Sequence, residues 1–260
     1  MSDITISIFQ ANARTEPPSA RLNWLDLAAE RAADSGSALL VCPELYVSCY
    51  NSDVKLKDRA RPWDGEYADR VGEIANLHNI AIVYTYPESF QDKLFNSAGF
   101  MGSDGQLVAH HRKNHIPGSY EAKWFTADQA ITVFDYAGWK MAMLICYDIE
   151  FPEAARQATL AGAEVLLVPT ALTDRWAFVA EKMIPTRAFE NGVYLAYVNF
   201  AGKEGDLSYL GGSRIIGPDG RDEAVAGKSE QILTVTLKKD RIIKARETLP
   251  YLADRKLYNL

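Results

Sequence analysis

Runs of β-branched, aromatic and other apolar residues recur along the chain at Ile4–Phe9, Ala38–Cys42, Ile80–Tyr86, Ser97–Met101, Ile131–Phe134, Met141–Cys146, Val165–Val168, Tyr194–Val198 and Ile232–Val235. Several are apolar at every position instead of at alternate ones, the pattern of strands covered on both faces. The segments between them repeat with helical spacing. Ser19–Asp34 sets Leu22, Leu25, Ala29 and Ala32 on one stripe, and Glu66–His78 does the same with Val71, Ile74, Ala75 and Leu77. Thr173–Glu190 carries Trp176, Val179, Ala180 and Met183, and Pro185 is predicted to kink it because proline has no N–H to donate. Ser103-Asp104-Gly105 and Pro218-Asp219-Gly220 lie between strand-like segments and read as hairpin turns.

Strands and helices alternate throughout, with no linker or low-complexity tract between them, so the pattern predicts one layered α/β domain over residues 1–260. The two halves share a loose order of strand, helix, strand, helix and hairpin. That order points to two sheets packed face to face as a pseudo-repeat.

Composition narrows the function classes. Hydrophobic residues make up 48% and charged residues 24% of the chain, which is ordinary globular usage and excludes general disorder. The net charge of −6 offers no field for a nucleic-acid backbone or an anionic membrane surface. Met1–Ala20 has no basic start and no apolar core of signal type, and no run of ~18 apolar residues could span a bilayer. The 3 cysteines cannot all pair within the chain, so a reduced, cytoplasmic setting is expected. His111 and His115 have the i, i+4 spacing of helical metal ligands, but they lie in a loop-like segment with no third ligand nearby, and no metal site is expected. Gly-x-Gly-x-x-Gly, Walker A and Gly-x-Ser-x-Gly patterns are absent, so no nucleotide cofactor or serine elbow is expected either.

The sharpest local chemistry is at Met141–Cys146, an apolar strand that ends at a thiol and runs into Tyr147-Asp148-Ile149-Glu150-Phe151-Pro152-Glu153 and a helical pattern through Ala154, Ala155 and Ala158. A thiol facing a helix N-terminus is favoured as thiolate; the plainer reading of Cys146 is a last core residue. Two other strand ends carry charges: Glu44 follows Ala38–Cys42, and Lys113 follows the first hairpin. Ligands of open α/β sheets collect beyond the carboxyl ends of strands. A carboxylate, an ammonium and a thiol gathered there make a base, an electrophile and a nucleophile.

These residues carry a resemblance. Cys42-Pro43-Glu44, His111-Arg112-Lys113-Asn114-His115-Ile116-Pro117 and Ile145–Glu153 are similar to the glutamate, lysine and cysteine motifs of the carbon–nitrogen hydrolase (nitrilase) superfamily. Arg187-Ala188-Phe189-Glu190-Asn191 resembles its structural Arg-Ala-x-Glu-Asn segment. The resemblance implies an α-β-β-α sandwich that pairs into an α-β-β-α-α-β-β-α dimer. It also implies a thiol amidase using Glu44, Lys113 and Cys146. Glu121, eight positions after Lys113, would hold the substrate amide, and the backbone N–H of Tyr147 would help to hold the oxyanion. Nitrile or carbamoyl hydrolysis on the same triad, and a non-catalytic dimeric scaffold, are the alternatives. Tyr50, Trp124 and Trp176 are candidate walls for a small-molecule pocket, with core packing the other reading. The Tyr- and Leu-bearing stretch Leu249–Leu260 would be covered by a second copy of the chain.

Overall fold

A computed structural model describes residues 3–50 and 56–256. The first half runs β1 (Ile4–Gln10), α1 (Pro18–Asp34), β2 (Leu39–Val41), α2 (Glu66–His78), β3 (Ala81–Phe90), β4 (Lys93–Met101), β5 (Leu107–Arg112) and the short α3 (Gly118–Ala122). The second runs β6 (Thr132–Tyr136), β7 (Trp139–Met143), α4 (Pro152–Leu160), β8 (Val165–Pro169), α5 (Ile184–Asn191) and β9 (Tyr194–Val198). There follow β10 (Lys203–Glu204), β11 (Leu207–Ser208), β12 (Arg214–Ile216), β13 (Asp222–Val225), β14 (Gln231–Leu237), α6 (Lys239–Thr248) and α7 (Tyr251–Asp254).

Two sheets of six strands have the orders β14-β1-β2-β3-β4-β5 and β13-β12-β9-β8-β7-β6. Each holds a parallel trio, β1-β2-β3 or β7-β8-β9, flanked by antiparallel strands. The pseudo-repeat is therefore real at the level of topology. Three apolar cores make the layers. One packs α1 and α2 on the first sheet, one lies between the sheets, and one packs α4 and α5 on the second. The result is an α-β-β-α sandwich. Among the parallel strands, β2, β8 and β9 are apolar throughout because both of their faces lie in a core.

The helical stripes bury as their spacing predicts, with one exception. Leu22, Leu25, Ala29 and Ala32 of α1 and Val71, Ile74 and Ala75 of α2 are buried, whereas Leu77 is 70% exposed on the outer side of α2. Thr173–Glu190 is helical almost throughout, but its pitch changes. A tight turn at Asp174–Trp176 and helical residues 177–178 lead into a π-turn at Val179–Met183 and then α5, with no break in the helical backbone. Pro185 falls in the first turn of α5, and the widened turn just before it marks the place of the expected irregularity. At the chain's end, α7 folds back on α5 with the Phe189 and Tyr251 rings 5.8 Å apart. Leu249 and Tyr251 remain 43% and 42% exposed, and residues 257–260 of the tail lie outside the described part.

Candidate active site

Glu44, Lys113 and Cys146 follow the C-terminal ends of β2, β5 and β7, and the sandwich brings those ends together. Glu44 lies on a turn whose next residue, Leu45, is left-handed (φ 49°). The turn is pinned on both sides. The Glu44 N–H donates to Thr170 O (3.2 Å) after β8, and the Tyr46 N–H donates to Thr85 Oγ1 (2.8 Å) on β3. Lys113 is fully buried, its own N–H bonded to Asn96 O (2.8 Å) on β4. Its ammonium donates to Glu44 Oε1 (2.6 Å) and to both oxygens of Glu121 (2.9 and 2.8 Å). Asn96 Nδ2 donates to the same Glu44 Oε1 (2.7 Å). Glu44 Oε2 is buried, and among the described residues no group donates a hydrogen bond to it.

Cys146 opens a tight turn, Cys146–Glu150, and its backbone is left-handed (φ 47°). A side chain pays roughly 1–2 kcal/mol for that conformation, so the surroundings must hold it. They do so through Asp148, which is buried. Its Oδ2 accepts the Ile145 N–H (3.0 Å), and its Oδ1 accepts the N–H of His115 (2.8 Å) and of Asn114 (3.1 Å). One carboxylate thus ties the cysteine turn to the loop after Lys113. His115 Nδ1 reaches the same Oδ1 (2.9 Å), and His111 Nε2 lies 3.6 Å from Oδ2. The two histidines converge on Asp148. From the other side, Arg187 of α5 donates to Ile149 O (3.1 Å) and Glu150 O (2.7 Å), fixing the end of the turn.

Burial sets the electrostatics. It pushes Glu44 up to about 7; the Lys113 ammonium opposes this and the Glu121 carboxylate adds to it. For Lys113 burial works against the charge, but Glu121 and Glu44 outweigh it and hold the ammonium well above its ordinary range. Cys146 is raised by burial and by Glu44, against Lys113 and the Ala171 N–H at its sulfur. The expectation that a helix N-terminus favours the thiolate is therefore corrected: the cysteine starts a single tight turn, α4 begins only at Pro152, and burial beside a carboxylate keeps the proton on sulfur. This is a resting thiol next to a carboxylate poised near neutrality, the pairing a general base needs.

The carbon-nitrogen hydrolase family profile matches residues 5–247. The chain belongs to that family. Among its relatives, a Pseudomonas protegens protein described as "Hydrolase in pqqF 5'region" is 38% identical over 254 residues, 96% of this chain and 88% of the relative. An (R)-stereoselective amidase of a Pseudomonas species is 33% identical over 220 residues, 84% of this chain and 80% of the relative. Among solved structures, a double mutant of the amidase from Nesterenkonia sp. AN1 in complex with acrylamide superposes with a TM-score of 0.86 at 31% identity, covering 98% of this chain and 95% of that one. Another structure of that amidase holds the acetamide moiety of fluoroacetamide added covalently at the active site cysteine.

In this carbon-nitrogen hydrolase the candidate wall residues separate. Tyr50 reaches the quartet, its hydroxyl donating to Glu121 Oε1 (2.6 Å). Trp124 packs beside it against Leu45, Leu56 and Phe125, with the Lys123 ammonium 4.8 Å from its ring centre. Trp176 stands outside: it is 53% exposed under the Arg175 guanidinium, in the tight first turn of the helical segment, and no described contact joins it to Glu44, Lys113, Glu121 or Cys146. Asn96 and Asp148 were not singled out from sequence. The one available signal for Asn96 was an amide inside an apolar strand, where asparagine is disfavoured.

Proposed function

We propose that this carbon-nitrogen hydrolase is a thiol amidase that converts a small carboxamide to its acid and ammonia through a thioester on Cys146. The observation that carries the reading is the buried Lys113 ammonium held between Glu44 and Glu121 beside the thiol. Glu44 takes the Cys146 proton as the sulfur attacks the carbonyl carbon. The oxyanion falls to Lys113 and the Tyr147 N–H, donors of a kind worth roughly 10²–10³ in rate each. Glu44 hands its proton to departing ammonia, then takes one from the water that opens the thioester. Glu121 accepts a hydrogen bond from the substrate NH₂, a bond that a nitrile nitrogen cannot donate. The acrylamide and acetamide groups bound by the Nesterenkonia amidase support a small aliphatic amide.

Ammonia release across matched amides, nitriles and carbamoyl compounds tests this. Short amides are expected to have the highest kcat/KM, and Cys146→Ala is expected to abolish turnover while keeping the fold. Faster nitrile turnover, or an active Cys146→Ala variant, would overturn the assignment. We also propose that the working form is a homodimer. Leu160 on α4 and Phe178 before α5 are 46% and 68% exposed, and the Phe189 and Tyr251 rings, 5.8 Å apart, are 39% and 42% exposed. Light scattering at micromolar concentration is expected to give twice the chain mass; a monomer mass would contradict it.

A further inference from the structure

Two carboxylates share one buried ammonium, and they are not equally supplied with donors. Glu121 takes Lys113 on both oxygens and the Tyr50 hydroxyl on Oε1. Glu44 receives Lys113 and Asn96 on one oxygen, and its other oxygen has no nitrogen or hydroxyl donor. We propose that Tyr50 is a positioning residue: its hydroxyl holds the Glu121 carboxylate turned to Lys113, so that Glu44 is left as the carboxylate that exchanges protons. This rests on the amidase reading for its consequence in turnover, though not for its geometry.

Tyr50 is built for that one bond. The Tyr120 hydroxyl donates to the Tyr50 carbonyl (3.1 Å), the two rings lie 5.9 Å apart, and Leu45, Leu56 and Phe125 pack beside the ring. Burial, together with Glu121 and Glu44, holds the phenol protonated far above its ordinary range, so toward Glu121 it acts only as a donor. The titratable groups around the pair are Lys113 after β5, Glu44 after β2, Cys146 after β7, Tyr120 on α3 and Tyr209 after β11. Lys113 is the one cation in this set, so removing a donor from Glu121 leaves it drawing more strongly on the ammonium it shares with Glu44.

Tyr50→Phe keeps the ring and deletes the bond. A hydrogen bond to an ionised group shifts such an equilibrium by about tenfold. The acid limb of the kcat/KM profile for the best amide is therefore expected to rise by about one pH unit. At pH 7, where Glu44 is about half ionised, kcat should fall about fivefold with KM changed less than threefold. The rate of Cys146 alkylation by iodoacetamide, followed by mass spectrometry, should show the same shift. That readout needs no amide turnover. A shifted alkylation limb in a chain that hydrolyses no amide would uphold the role of Tyr50 and sink the amidase reading. Unmoved limbs with a raised KM would make Tyr50 a pocket wall and overturn the proposal. In a Glu121→Gln background, Tyr50→Phe should shift the alkylation limb no further, and an undiminished shift there would also overturn it.

Discussion

Two buried carboxylates take their donors from opposite faces of the β4–β5 pair and behave in opposite ways. Glu88 on β3 receives the Ser97 hydroxyl (2.7 Å), His110 (2.8 Å) and the Arg112 guanidinium on both oxygens. Those donors outweigh burial and lower it to about 2. Glu44 receives Asn96 and Lys113, the residues next in sequence to Ser97 and Arg112, and is pushed up to about 7. Alternation along a strand sends adjacent residues to opposite sides, so one pair of strands supplies both sites. The contrast lies in ownership of the cation. Glu88 has a guanidinium on both of its oxygens, whereas Glu44 divides one ammonium with Glu121. Donors in surplus make a structural ion pair, and donors in short supply suit the proton acceptor proposed at Glu44.

Replacing each carboxylate by its amide breaks the comparison in two directions. Glu44→Gln cannot accept the thiol proton, and general-base loss costs roughly 10²–10⁴ in rate, so kcat/KM is expected to fall about 10³-fold with the melting temperature nearly unchanged. Glu88→Gln is expected to do the reverse. It strands Arg112, which is 19% exposed and so partly rehydrated, at a cost of about 3 kcal/mol. For a chain of this size that lowers the melting temperature by about 8 °C. The kcat/KM of the folded fraction should stay within about threefold. Thermal melts and steady-state rates on both variants decide the matter, and equal activity losses would erase the distinction between the two sites.

The contrast also shows what the sequence could reveal. Glu44, Lys113 and Cys146 were legible because each ends a strand inside a short motif, where residue type and position reinforce each other. Their supports were not. Asn96 meets Glu44 across 52 positions, Tyr50 meets Glu121 across 71, and Arg187 meets Ile149 across 38. Such pairings are created by sheet packing and leave no local periodicity. The same reason hides β12, whose 3 residues are too few to show a period. Trp176 is a different case: its apolar character reads as pocket wall or core, and the tight turn at Asp174–Trp176 sets it on the surface of this chain instead of in its core.

The smallest expected effect is the most specific to Glu44. A carboxylate lowered in the folded state, as Glu88 is, adds stability that is present above about 4.5 and lost as pH falls toward 2. A carboxylate raised in the folded state has the opposite sign. Between its ordinary value of 4.5 and about 7, folded Glu44 holds a proton that the unfolded chain has released, so its contribution is full below 4.5 and declines as pH rises through 7. Glutamine resembles the protonated form and does not titrate. Glu44→Gln should therefore match the native chain near pH 4.5 and exceed it at pH 8. The gain is expected as a rise of a few degrees in melting temperature, within the roughly 3 kcal/mol that a shift from 4.5 to about 7 allows. Paired melts at pH 4.5, 6 and 8 measure it. A difference that is flat with pH, or one that favours the native chain at pH 8, would mean that Glu44 stays ionised across the range as Glu88 does, and the division of labour between the two carboxylates would have to be given up.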